Sequence, residues 1–284
     1  MLILAVSLLL ACSLAAADES VEDQLRATYL DKTLTLRHFY KGSQLSFQSD
    51  GSSIGATEVG PWTVYAEVQV KSINLSPHTL HIHARRVYLV FDGPDIDGKE
   101  TYRDMLASLH ESKLKDRDKL EEFYSNNGVD VDIGFTSENP DLNALSSGMG
   151  AVFLMPGEST TSILPSLWQD YSNRQAGQPL RTHYTSETVY QVRPPKVSPP
   201  RPTYTPEPEF SEEAREAKFE SVAALAIVVT SSGSVEDARV ISPVGLGLDE
   251  KAVGQVSKWK FDPATMNGKP VAVAVRVEVD FHLN

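Results

Sequence analysis

The chain has 284 residues, 41% of them hydrophobic and 23% charged, which is ordinary globular usage and excludes wholesale disorder or a many-span membrane protein. Asp and Glu number 38 against 26 Lys and Arg, a net charge of −12, and such a chain repels a phosphate backbone, so nucleic acid is not an expected partner. The single cysteine, Cys12, excludes a disulfide framework and any cysteine-based zinc centre.

Residues 1–17 carry no charged side chain, and Leu2 to Ala11 has the length of a signal-peptide core, with Ala15-Ala16-Ala17 as small residues before a cleavage point. The expectation is an exported, periplasmic protein cleaved after Ala17. Two other fates stay open. Leu9-Leu10-Ala11-Cys12 resembles a lipobox, which would place a lipid on Cys12. An uncleaved anchor would need about 20 apolar residues, which this stretch barely reaches. Membrane contact follows only from a lipidated Cys12 or an uncleaved leader.

Residues 18–193 read as a β-rich domain with one long helix. Leu34 and Leu36 alternate in Thr33 to Tyr40, and Leu45 to Gln48 is positioned to pair with that strand across Lys41-Gly42-Ser43. Trp62 to Val70 and Thr79 to Phe91 alternate in the manner of half-buried strands. Met105, Leu106, Leu109, Leu120 and Phe123 then change to a helical period over 101–124, stopped by Asn126-Asn127-Gly128. Residues 129–193 show short apolar pieces, among them Thr185 to Val192.

Seven prolines lie between Pro194 and Pro208, so residues 194–209 are expected to be a semi-rigid linker. Beyond it the pattern of residues 210–284 sharpens. Ser211 is placed to cap a short helix. Val222 to Thr230 and Val235 to Ser242 form a hairpin about Gly233. Leu248, Ala252, Val256 and Trp259 line one face of a helix that Pro263 ends. Val271, Val273, Val275, Val277, Val279, Phe281 and Leu283 alternate with Ala272, Ala274, Arg276, Glu278, Asp280 and His282. Strict period two over that length predicts a strand with its odd face buried. The fold class is therefore α+β: a helix–β–β–helix–β module with a three-stranded antiparallel sheet, preceded by the β-rich domain.

Residues 206–284 resemble the C-terminal domain of TonB-family energy transducers. The resemblance is carried by Pro206, Glu213-Ala214-Arg215, Gly233, Asp237-Ala238-Arg239-Val240, Ser242 and Leu248-Asp249. It continues through Trp259-Lys260-Phe261, Pro263-Ala264 and Gly268-Lys269-Pro270-Val271. It implies an interaction module that takes up an extended TonB-box-like peptide of an outer-membrane receptor by strand addition. The edge strand implied for that role comprises Val271, Val273, Val275, Arg276, Val277, Glu278, Val279 and Asp280. Leu34 to Tyr40, Gly60 to Thr63 and Arg85 to Phe91 resemble extracytoplasmic proteins in which a β-rich domain precedes such a module, which implies no activity.

Motifs for chemistry are sparse. His81 and His83 share a strand face, but Arg85-Arg86 beside them disfavours a metal cation. Asp95-x-Asp97-Gly98 echoes a calcium loop but has Gly93 and Asp104 at its first and last ligand positions. Ser112-x-x-Lys115 lacks its companion motifs, and Leu114 breaks the zinc-protease pattern begun by His110-Glu111. No catalytic residue, cofactor or metal is expected, and the protein is read as a binding protein rather than an enzyme. The alternative is a small-ligand-binding or enzymatic domain in 18–193, tethered by the C-terminal module.

Overall fold

The computed structural model describes residues 20–94, 100–104, 127–178 and 185–283. The leader with Cys12, the calcium-like loop at 95–98, and the motifs on 110–115 lie outside the described residues, as does the helical pattern from 105 onward.

The first part begins with helix α1 (Val21–Tyr29), whose N-terminus Ser20 caps by accepting the Asp23 amide, as an N-cap serine should. Strands β1 (Thr33–Thr35) and β2 (Gln44–Gln48) follow, then a single-turn helix α2 (Trp62–Tyr65). Next come strands β3 (Glu67–Ser76), β4 (Thr79–Val87), β5 (Leu89–Pro94), β6 (Glu100–Asp104) and β7 (Gly128–Gly134). Helices α3 (Leu142–Val152) and α4 (Gln169–Gln175) complete this part. Five strands make a sheet in the order β1-β3-β4-β7-β2. Alternate residues such as Val68, Val70, Leu80, Ile82, Val129, Val131 and Ile133 are fully buried with Leu25 of α1 and Leu145, Met149 and Val152 of α3.

Three local expectations are corrected here. β1 pairs antiparallel with β3, and β2 pairs parallel with β7, so 33–48 is no hairpin. The stretch Trp62 to Val70 opens as α2, because Pro61 sits just before the first helical residue and Trp62 and Val64 turn into a core of aromatic rings. The long strand at 79–91 breaks at Tyr88 into β4 and β5, and the expected helix at 101–124 opens with β6.

The second part contains β8 (Val189–Gln191), β9 (Arg201–Tyr204), α5 (Glu212–Glu216), β10 (Ser221–Val229), β11 (Val235–Ser242), α6 (Leu248–Val256), β12 (Lys260–Asp262), β13 (Ala264–Met266) and β14 (Lys269–Phe281). The sheet order is β11-β10-β14-β13, with β8 also pairing with β14. Two strands thus join the three that the hydrophobic pattern indicates. Leu248, Ala252 and Val256 of α6 are fully buried in the same core as Leu225, Ile227 and Val273. Trp259 lies beyond the end of α6 and is half-buried, so it does not continue the helix face.

The proline-rich stretch does not run free. Arg201–Tyr204 pairs as β9 with β12, Val197 bridges to Met266, and Gln255 Nε2 donates to the carbonyls of Pro206 and Glu207 at 3.0 and 2.8 Å. A proline-rich chain can pair as an edge strand wherever its missing N–H faces away from the partner, which is how a linker-like composition lies down on a sheet. One core cluster contains Trp62, Val64, Leu89, Val90 and Trp168 from the first part together with Leu225, Val240, Leu246 and Phe281 from the second. The two parts are therefore built around shared apolar packing.

Candidate functional site

β14 is the longest strand and has two neighbours of different extent. On its inner side β10 pairs antiparallel over nine positions, from Ser221 opposite Phe281 to Val229 opposite Val273. Before the β10 pairing begins, β13 pairs with Lys269, Pro270 and Val271, and on the outer side β8 pairs with Ala272, Val273 and Ala274. Among the described residues no strand pairs with the outer side from Val275 to Phe281.

The direction of each backbone group follows from the turn that starts the strand. Asn267 and Gly268 have φ of 52° and 77°, the left-handed pair of a two-residue hairpin. The residues flanking such a turn, Met266 and Lys269, exchange hydrogen bonds across it, so Lys269 points toward β13. Pro270, which has no N–H, occupies the opposite phase. Across the β10–β11 turn Thr230 donates its amide to the Ser234 carbonyl, so the next residue, Val229, points toward β14 and its partner Val273 points back toward β10. With a period of two, Val271, Val273, Val275, Val277 and Val279 present N–H and C=O to the β10 side, and Ala272, Ala274, Arg276, Glu278 and Asp280 present theirs outward.

The residues expected to form a peptide-binding edge therefore divide into three groups. Val271 is paired with Ala264 of β13. Val273, Val275, Val277 and Val279 turn their main-chain groups to β10. Arg276, Glu278 and Asp280 carry open main-chain groups and exposed side chains on the polar face, where Arg276 pairs with Glu278 at 3.2 Å and His282 lies 3.8 Å from Asp280.

The other sides of the module are occupied by the rest of the chain. β11 lies against α4 and the turn before it, where Arg174 donates to the Ile241 carbonyl at 2.6 Å. Arg239 is clamped by two carboxylates, Asp237 on its own strand and Asp170 of α4 at 2.7 Å, and all three side chains are at most 4% exposed. Two carboxylates offset the cost of burying one guanidinium, which is why a charged residue is tolerated there. Trp168 donates its indole N–H to Glu250 at 2.9 Å. The loop before α6 docks on β5: Leu246 donates to the Leu89 carbonyl, and a Cβ on Gly245 would lie 2.2 Å from that oxygen. Asp249 accepts the amides of Val244 and Gly245 and so shapes this loop. Burial, with the neighbouring Glu250 charge, pushes the Asp249 carboxyl well above the ordinary aspartate range despite those two donors.

Two further constellations bring polar side chains together. A cavity of about 320 Å³ is lined by Tyr65, Arg86, Tyr88 and Glu213 among others. Arg86 is 4% exposed and donates to the carbonyls of Tyr40, Gly42 and Tyr65. Burial lowers it to about 10. Tyr65 donates its hydroxyl to Glu213 at 3.1 Å and is pushed up to about 12, first by burial and then by the Glu213 charge. These contacts tie α2 and β4 to α5, so the polar groups serve the junction between the two parts.

On the open face of the first sheet, His81 Nδ1 lies 2.7 Å from Asp132 and its Nε2 lies 2.8 Å from Ser76 Oγ. His83 Nδ1 lies 2.7 Å from Asp130. Ser76, His81 and Asp132 have the hydrogen-bonding order of a nucleophile, base and carboxylate, yet the His81 and Asp132 side chains are 45% and 36% exposed. The cavity described above is lined by other residues. Cross-strand pairing suffices to explain them, since His81 faces Asp132 and His83 faces Asp130 in the register of β4 and β7. Asp130 and Asp132 escaped the sequence reading although Val129, Val131 and Ile133 alternate with them in strict period two. Among the described residues no group of three or more His, Cys, Asp or Glu is arranged to hold a metal ion. No helix among them is long and apolar enough to cross a membrane.

Comparison with known proteins bears on the second part. Residues 206–283 match the family model described as Gram-negative bacterial TonB protein C-terminal. The solution NMR structure of the Pseudomonas aeruginosa TonB C-terminal domain is a structural neighbour at 19% identity, covering 34% of this chain and 95% of that one with a TM-score of 0.27. No curated protein matches the chain. Residues 206–283 are a TonB C-terminal-like domain.

Proposed function

We propose that this TonB C-terminal-like domain is the interaction module of an extracytoplasmic protein. It binds an extended, TonB-box-like peptide of an envelope or outer-membrane receptor protein by adding it as a strand to β14. The observation that carries this reading is the open outer edge of β14 from Val275 to Phe281, next to faces of the module that the chain itself covers. Unpaired N–H and C=O groups in a row satisfy an incoming main chain, while flanking side chains select it. The exposed polar row of Arg276, Glu278 and Asp280 supplies that selection on one face. The part before the module serves as its scaffold, and no catalytic step is assigned to it. The apolar leader implies the location.

Amide exchange with and without peptides from receptor N-termini tests the reading. Free protein should show fast exchange at Arg276, Glu278 and Asp280 and slow exchange at Val275, Val277 and Val279, and peptide should slow the first set alone. Protection that appears in 20–178 and nowhere in 275–281 would instead assign binding to the first part.

A further inference from the structure

We propose that β8 is a resident strand on the binding edge, which a long partner must displace; this rests on the edge-binding reading above. Val189–Gln191 lies parallel to Ala272–Ala274, with Tyr190 opposite Val273. The chain thus performs on itself the strand addition expected of a partner.

Its hold is slight beside that of the other neighbour of β14. β8 has three paired positions in a parallel arrangement, whereas β10 has nine in an antiparallel one, and parallel pairing is the less stable per residue. Val189 and Tyr190 are half-buried and Gln191 is exposed. Upstream, the strand is pinned by the Glu187 carboxylate, which accepts the Ser231 amide at 3.2–3.3 Å. Tyr190 and Val192 add partial packing on the core. Of the two strands bordering β14 along 272–274, β8 is the one that can leave without opening the sheet.

Its presence divides partners by length. About seven residues fit on 275–281 beside β8. A longer peptide competes for Ala272–Ala274 against a segment of the same chain, whose effective concentration is of millimolar order. Weak or poorly matched peptides are thereby kept to the short stretch.

The probe is a synthetic peptide of the chain's own residues 185–193, added to the full-length protein. In the Tyr190→Pro variant, which loses the N–H and the strand geometry opposite Val273, the peptide should bind in trans and protect the Ala274 amide. The unaltered chain should bind it at least about tenfold more weakly. A second variant, Val189→Cys with Ala272→Cys in a Cys12→Ser background, joins paired positions whose Cα separation in neighbouring strands of about 5 Å suits a disulfide. Without any peptide, Ala274 should exchange at least about tenfold faster than Val273 in the unaltered chain, and the disulfide should remove that difference. Equal protection of Val273 and Ala274 in the unaltered chain, equal peptide binding by all forms, or no binding by a folded Tyr190→Pro chain overturns the proposal. An eleven-residue receptor peptide that protects Arg276, Glu278 and Asp280 identically with and without Tyr190→Pro leaves the edge-binding reading standing and removes the resident-strand role. Trans binding of the self-peptide with no receptor peptide bound does the reverse.

Discussion

Asp249 is fully buried, with its carboxylate facing two amides and its neighbour Glu250 also pushed upward, chiefly by burial. A raised carboxyl binds its proton more tightly folded than unfolded. Stability from this residue is therefore greatest below the unfolded value near 3.8 and falls as pH rises toward the folded value. Asp130 works in the opposite sense: its hydrogen bond to His83 lowers it, so its contribution is present above the ordinary range and is lost on acidification. Asp249→Asn keeps an acceptor for the Val244 and Gly245 amides and removes the ionisation. Its stability relative to the unaltered chain should increase as pH rises from about 4 to 7, by up to about 1.4 kcal/mol per pH unit. Urea unfolding at a series of pH values measures this, and a pH-independent difference would show that the carboxyl titrates normally.

At the scale of elements, two hairpin turns separate local from tertiary demand. Gly233 has φ of 79°, and a Cβ there would lie 1.9 Å from the Phe261 carbonyl oxygen, while the Phe261 amide donates to the Gly233 carbonyl. Gly268 has nearly the same φ, 77°, with nothing within 4 Å of an added Cβ. Gly268→Ala should cost about 1 kcal/mol from backbone strain alone. Gly233→Ala should cost at least about 2 kcal/mol more, because β12 must also move. Thermal melts of the two variants compare them directly; equal losses would mean that the β10–β11 turn is not seated on β12.

The same contrast explains what could be read from the chain. The hairpin of β10 and β11, the buried face of α6 and the alternation of β14 are local patterns, and they stand where residues 222–281 place them. The pairing of β2 with β7 joins residues more than 80 positions apart, and its hydrophobic pattern equally suits a hairpin with β1. β8 is only three residues long, too short for a period to show, and its partner lies about 80 residues downstream. At the candidate site, the identity of the strand was legible, but which of its residues face outward was not. That depends on the Asn267-Gly268 turn and on which neighbours arrive.

For the whole molecule, the relevant fact is that Arg239, Glu250 and the loop at 244–246 find partners in Asp170, Trp168 and Leu89. A fragment of residues 206–284 would lose all three, together with β8, β9 and the Val197 bridge. Breaking a buried ion pair costs about 3–5 kcal/mol, comparable with the net stability of a small domain. The fragment should melt well below the full chain or fail to fold cooperatively. Calorimetry of both decides, and a fragment as stable as the parent would mean that the shared core adds nothing.

The aromatic cluster at this junction has an optical consequence. Trp168 lies edge-on to Trp62 with centroids 5.3 Å apart and stacks on Phe91 at 5.7 Å, while its N–H is engaged by a carboxyl group of the module. Two indoles so close and so nearly perpendicular share electronic excitation, and their near-ultraviolet dichroism depends on that arrangement. Trp259, half-buried beside Phe261, emits from within the module itself. Any loosening of the module from the first part will therefore register as a change in dichroism and in Trp168 emission, giving the unlabelled protein its own reporter of partner binding.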